Sequence, residues 1–249
     1  PIGDTLFELE KIPLHHVKVD VAEMPDDLMP SWLGFLVDNN LKRSDWPFVK
    51  WWIEKLIVPK IQEDIEINEA FKGVRGTITS GTATAAGASI DGVRKTIRMG
   101  NTAGKTKLIT MGAAPVDPVD FVNYIEDFVA QIPELYRNLL DGLNMSKTLR
   151  DRFKTGMRTK YNVNYAQIGE LLTVIDTDIK VNGSIAQAGS EMIWTTIKGN
   201  TARPVKFGEN QGKFDIQLFE RQVKLLSDWY VGYGFWYMPW VFHNDRDLI

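Results

Sequence analysis

The stretch Asp45-Trp46-Pro47-Phe48-Val49-Lys50-Trp51-Trp52-Ile53-Glu54-Lys55-Leu56-Ile57-Val58-Pro59-Lys60-Ile61-Gln62-Glu63-Asp64-Ile65-Glu66-Ile67-Asn68-Glu69-Ala70-Phe71-Lys72-Gly73 decides how the rest of the chain is read. Asp45 can cap a helix amino terminus and Pro47 suits its first turn. Phe48, Val49, Trp52, Ile53, Leu56 and Ile57 recur at helical spacing, and the pattern continues through Ile61 and Ile65 to about Ala70. From Pro47 to Ala70 this predicts roughly 36 Å of helix. Pro59 removes one backbone donor inside it and predicts a bend.

Upstream, Val17-Lys18-Val19-Asp20-Val21 alternates apolar and polar residues as a strand does. Met24-Pro25-Asp26-Asp27 reads as a turn, followed by a short helical piece around Leu28 to Val37. Downstream, residues 77–92 are rich in Gly, Ala, Thr and Ser with few large apolar anchors, so a loop or ribbon and a boundary are expected there. Asp117-Pro118 opens a second helix with the apolar stripe Phe121, Val122, Ile125, Phe128, Val129 and Ile132, ended by Pro133. Ser146 caps a third, where Leu149, Phe153 and Met157 recur every four residues. Its other positions are basic, Lys147, Arg150, Arg152, Lys154, Arg158 and Lys160 against Asp151, a pattern that fits equally a solvated face or a surface meeting acidic residues of a neighbouring subunit. From Leu171 onward the chain reads as strand: residues 171–175, 192–197 and 214–218, a bulge or turn near Glu220-Arg221, and an aromatic, glycine-spaced run from Trp229 to Phe242. Helices in the middle with strands before and after define an α+β class.

Composition excludes several functions. The chain has 249 residues, with hydrophobic residues at 44% and charged residues at 24%, ordinary for a globular protein. A compact monomer of this mass would expose roughly 11,000 Å² and bury about 70% of its unfolded surface. No apolar run approaches the ~20 residues of a membrane span. The net charge of −3 lacks the basic excess of a duplex-DNA reader. Cysteine is absent, removing disulfides, thiol nucleophiles and cysteine-held metals, and fitting a reducing cytosol. Pro1-Ile2-Gly3-Asp4 does not read as a signal peptide, and the missing initiator Met reads as a start inside a longer or trimmed product.

Residues that could carry chemistry are few. His15 and His16 are strand neighbours pointing to opposite faces, so they do not share a metal; one half-buried and one exposed ring are expected. His243 is expected in solvent. Gly100-Asn101-Thr102-Ala103-Gly104-Lys105-Thr106 imitates a phosphate loop, but only three residues separate the first Gly from Gly-Lys-Thr where four are needed. It reads as a polar turn. The carboxylate pairs Glu63-Asp64 and Asp176/Asp178 would serve a glycosidase only if held across a cleft. Eight tryptophans could form a sugar-stacking platform; packing of Trp46, Trp51 and Trp52 on a helix, and of Trp229, Trp236 and Trp240 in strands, is the plainer expectation.

The order of elements resembles the major capsid proteins of tailed phages, the Hong Kong 97-type fold. The likeness runs from about Lys11 to Phe242. It is carried by 17–21 with the short and long helices after it, and by the acidic ending Glu63-Asp64-Ile65-Glu66-Ile67-Asn68-Glu69-Ala70-Phe71-Lys72-Gly73, similar to that family's spine-helix ending. Helix 118–132 running into Pro133-Glu134-Leu135-Tyr136-Arg137, the segment 143–150, and 214–229 with Gly232, Gly234-Phe235 and Val241-Phe242 add to it. Within that family the chain resembles capsid proteins of phages and prophages of gut Bacteroidales, including the crAss-like group. Two departures from the family's pattern stand out: its amino-terminal arm and most of the extended loop before the spine helix read as missing, and residues 77–110, read as ribbon, have no counterpart in it.

The resemblance implies a structural, self-assembling subunit of an icosahedral phage or prophage head enclosing double-stranded DNA, with no catalytic residue, metal or cofactor. Residues 1–112 would form a peripheral domain with a remnant of the extended loop and the spine helix (about 46–70). Residues 113–212 would form an axial domain, and 213–249 closing strands returning to the periphery. Partners would be copies of itself in pentamers and hexamers, then scaffold, portal, maturation protease and packaged DNA without sequence readout, and no membrane. The location would be the virion capsid, assembled in the bacterial host cytoplasm. Lys147, Arg150, Lys154 and Arg158 are expected at a subunit interface, and Tyr161, Asn162, Asn164 and Tyr165 in an axial loop. The alternatives are a carbohydrate-binding or glycan-processing protein using exposed tryptophans, and another virion component of the tail or adaptor.

Overall fold

The computed structural model describes residues 10–79, 81–161, 172–206 and 213–248. Strand β1 (His15–Glu23) pairs antiparallel with the ten-residue β8 (Gln222–Val231), which also pairs with β7 (Asp215–Phe219), giving a three-stranded sheet of order β1-β8-β7. Every second residue of β8 from Val223 to Val231 is buried, as expected where one sheet face is covered. Glu220 and Arg221, both at positive φ (47° and 64°), make the turn between β7 and β8 where the sequence predicts one.

That buried face is covered by α1 (Pro25–Asp38) and the long helix. Trp32, Leu36, Trp51 and Trp52 pack with Val223 and Leu225, and Ile61 and Ile65 pack with Ile90, Trp229 and Val231. Met24-Pro25-Asp26-Asp27 is no separate turn: Pro25 sits in the first turn of α1, with Asp26 and Asp27 beside it at the positive end of the helix dipole.

The long helix spans 48–69, about 33 Å at α-helical rise. It consists of α2 (Phe48–Trp51), a π segment (Trp52–Ile57), α3 (Val58–Glu63) and a second π segment (Asp64–Glu69). The wide turn before α3 accommodates Pro59, which has no N–H to donate and whose ring crowds the turn before it. Asp45 does not cap this helix; Pro47 holds the N-cap position, without a side-chain bond to the first turn.

Residues 93–102, read from sequence as ribbon, form α4 (Val93–Thr102), followed by β2 (Lys107–Ile109). Then come α5 (Pro118–Ala130), α6 (Glu134–Arg137), β3 (Leu143–Ser146), α7 (Lys147–Tyr161), β4 (Val181–Ser184), β5 (Trp194–Thr195), β6 (Thr201–Ala202), β9 (Gly234–Phe235) and β10 (Phe242–Asn244). A five-stranded mixed sheet has the order β2-β10-β5-β3-β4, and β6 pairs with β9. The closing strands therefore divide: β7 and β8 join β1, while β10 joins the sheet of β2, β3, β4 and β5.

Two expected strands shrink, for local reasons. Around 172–181 the chain forms a small loop closed by the Thr173–Lys180 bridge, with Asp176 at φ 56° and the Thr177 hydroxyl donating to the Val174 carbonyl. Over 190–197 only Trp194–Thr195 is strand, because the side chains of Ser190, Asp247 and Asn244 accept from the N–H groups of Met192, Glu191 and Ile193.

The main core lies between α5, α7 and the five-stranded sheet. Phe121, Ile125, Phe128, Leu143, Met145, Phe153 and Met157 are buried there, each stabilising by about 1.5–3 kcal/mol relative to exposure. Asp117 accepts from the Val119 and Asp120 N–H groups and caps α5, and the Ser146 hydroxyl accepts from Leu149 N–H in the first turn of α7.

Candidate functional site

α7 is anchored on one side and bare on the other. Leu149, Phe153, Gly156 and Met157 face the core. Arg152 donates to the Pro115 carbonyl (2.7 Å), and the Lys160 ammonium bonds Glu126 and Asn123 (2.7 Å each), so these two cations hold α7 on α5 and the segment before it. Lys160 has its pKa raised: burial lowers it, but the bonds to Glu126 and Tyr161 prevail.

Lys147, Arg150, Lys154 and Arg158 fall within about 80° of the helix circumference. Lys147, Lys154 and Arg158 are exposed. The Arg150 stem lies on Gly183 of β4, where a Cβ would sit 2.5 Å from Arg150 Cδ. Arg150 Nε is buried with no partner among the described residues. The four expected interface residues thus form one stripe. Of the expected axial-loop residues, Tyr161 ends α7 and donates to Glu126 (2.6 Å); Asn162, Asn164 and Tyr165 lie outside the described residues.

Two further surfaces are open. A groove of about 490 Å³ is lined by α6 and the 176–179 turn, with Glu134, Asp176 and Asp178 against Arg137. Arg137 is occupied, donating to the carbonyls of Ile132 (2.7 Å) and Ala130 (2.6 Å). Beside the groove Leu135 is 75% exposed. The second surface is β7, an edge strand. Ile216 and Leu218 stand opposite the buried Leu225 and Val223, extending the apolar face of the sheet beyond its cover, and Leu218 is 80% exposed.

The tryptophans do not form a sugar platform. Trp32, Trp51, Trp52, Trp194 and Trp229 are buried, and Trp46 and Trp240 half-buried; Trp236, at 65%, is exposed. Trp236 and Trp240 also lie outside strands, on a turn pinned by buried Asn200, which accepts from Tyr237 N–H and donates to its carbonyl.

The histidines are structural. His15 is buried beside Arg75, with Asp91 at 3.6 Å, and its pKa is lowered by burial and by the Arg75 charge against the pull of Asp91. His16 points to the other face and meets Asp228 at 2.9 Å. His243 is fully buried in β10, not in solvent: Thr106 Oγ1 lies 2.8 Å from Nε2 and the Asn244 carbonyl 2.8 Å from Nδ1, with the pKa lowered by burial. The imitation phosphate loop runs from the end of α4 into β2, the reverse of the strand-to-helix order that phosphate binding needs. Glu63 and Asp64 both meet Lys60. Among the described residues no group of three or more His, Asp or Glu could hold a metal ion.

The sequence matches no family model and no curated protein. Solved structures do match. A chain of the satellite phage P4 procapsid that includes the size determination (Sid) protein superposes with a TM-score of 0.52 at 13% identity, over 98% of this chain and 74% of that one. The capsid of Myoviridae phage XM1 gives 0.46 at 12% identity over 94% and 73%. The holo-SrpI encapsulin complex of Synechococcus elongatus gives 0.47 at 13% over 93% and 73%. The chain has the Hong Kong 97-type fold.

Sequence reading missed the groove and the β7 ledge. Asp176 and Asp178 stood out only as a pair; their proximity to Glu134 is set by the 172–181 loop, and a one-residue shift in strand pairing decides whether Leu218 is covered.

Proposed function

We infer that this chain is a self-assembling shell subunit, the major capsid protein of an icosahedral phage or prophage head enclosing double-stranded DNA. One observation carries the reading: the superposition on a procapsid chain extends over 98% of this chain, at 13% identity. Two properties support it. Apolar side chains overhang at β7, and the basic stripe has no ion pair among the described residues. Each suits a polypeptide that neighbours cover.

In this reading 1–112 and 213–249 form the peripheral domain and 113–212 the axial domain, with β2 and β10 reaching into the axial sheet. Copies join as pentamers and hexamers of a shell in the bacterial cytoplasm, with scaffold, portal and maturation protease as further partners. The net charge of −3 fits DNA enclosed without sequence readout. In this reading its kin are capsid proteins of phages and prophages of gut Bacteroidales, the crAss-like group included, a kinship supported by the resemblance in element order and motifs.

Particles purified from an induced lysogen or an infected culture test this. The polypeptide should be the most abundant protein of particles that co-sediment with nuclease-protected double-stranded DNA. Its presence at a few copies per particle would make it a tail or adaptor component and overturn the capsid assignment.

A further inference from the structure

Resting on the shell-subunit reading, we propose that the basic stripe of α7 docks into the groove between α6 and the 176–179 turn of a second copy of this chain, joining neighbours head to tail around a capsomer. The stripe presents Lys147, Arg150, Lys154 and Arg158 with Asp151 as its one acid, a net charge of about +3 on one helix face. Among the described residues none of these five has an ion pair, whereas Lys160, on the anchored side, has Glu126 at 2.7 Å. The groove presents Glu134, Asp176 and Asp178. Arg137, its one cation, is held by two backbone carbonyls at the end of α5, so the groove carries a net charge of about −2. None of its carboxylates has an ion pair among the described residues.

The occupant is a second copy because the two surfaces are opposite in sign, belong to one polypeptide and do not meet within it. Unlike surfaces joined between copies make a heterologous contact, the kind that closes into rings. Leu135, beside the carboxylates, supplies apolar area for the neighbour to cover. Exposed pairs are individually weak and screened by salt. Their role here is to set register and to exclude wrong faces, since like charges brought together repel.

The experiment uses three variants of the whole gene product: Lys154→Glu with Arg158→Glu, Glu134→Lys with Asp178→Lys, and all four together. Asp176 is left alone because its positive φ (56°) suits Asp better than Lys. All four positions are exposed, and circular dichroism verifies folding. Rings are followed by sedimentation velocity and negative-stain microscopy at low salt. Each double reversal should raise the concentration needed for rings at least tenfold. The fourfold variant, and an equimolar mixture of the two double variants, should return it close to wild type. Double reversals that assemble like wild type, or a fourfold variant that does not recover, overturn the docking while wild-type rings leave the shell reading standing. A wild-type protein that makes no rings under any condition overturns both.

Discussion

Gly156 lies where α7 crosses the first turn of α5, and Gly156→Ala tests the packing that aims the basic stripe. A Cβ built there would stand 1.9 Å from the Pro118 carbonyl oxygen, 2.5 Å from its carbon and 2.7 Å from Val122 Cγ2. Ordinary contact begins near 3.4 Å, so the helices would have to separate by about 1.5 Å at a site where the obstruction is backbone. Overpacking of this kind destabilises by about 1–3 kcal/mol or more. Alanine returns about 0.5–1 kcal/mol through helix propensity. The net is a loss of about 2 kcal/mol, which lowers Tm by about 4–8 °C in a chain of this size. Gly34 is the matched control: it lies inside α1 with no atom within 4 Å of its virtual Cβ, so Gly34→Ala should gain about 0.5–1 kcal/mol. Both are read by thermal unfolding of the unassembled subunit with circular dichroism. A Gly156→Ala protein that melts at or above wild type would refute the close approach of α5 and α7.

Other perturbations have equally definite outcomes. Asn200→Ala removes both bonds to the Tyr237 backbone and the bond to Thr196; denaturant titration should show a loss of about 2–3 kcal/mol, and loss below 0.5 kcal/mol would mean the aromatic turn is held otherwise. Glu69→Gln weakens a carboxylate that accepts from the N–H groups of Gly87, Ser89 and Ile90; hydrogen exchange at these amides should accelerate while α5 and α7 are unchanged. Unaltered exchange would remove Glu69 as the clasp of the 74–92 loop. Acid should loosen the fold through His15 and His243. Both folded pKa values lie below 6.5, so their contribution is complete above about pH 6.5 and is lost as pH falls through the folded values. Stability that stays flat from pH 7 to pH 5 in a His15→Gln/His243→Gln protein, but declines in wild type, is the expected result. Parallel curves would contradict it.

What the sequence disclosed and what it hid follow from the range of the interactions. The caps Asp117 and Ser146 act within three residues, and the α5 and α7 stripes repeat within one helix, so both helices are legible. The basic stripe is legible for the same reason. His243 is not: it sits among polar residues, and only the pairing of β10 with both β2 and β5 buries it and brings Thr106, 137 residues away in the chain, to its ring. α4 hides behind Gly100-Asn101-Thr102-Ala103-Gly104-Lys105-Thr106, which sequence reads as a polar turn. In the structure Gly100 faces Met238 and Thr106, and a Cβ would stand 2.4 Å from Met238 Cε. The glycine is there for close approach, not for a turn. The short β5 hides because side chains of 244 and 247 take its neighbours' backbone bonds. In each case the deciding partner is more than fifty residues away.

Negative-stain electron microscopy of the whole gene product, expressed alone and with its genomic neighbours, tests the central claim most directly. Closed shells, or rings with five- and six-fold symmetry, are the predicted result. A monodisperse monomer at every concentration, salt and co-expression condition would contradict the account and leave the Hong Kong 97-type fold as a likeness of form alone.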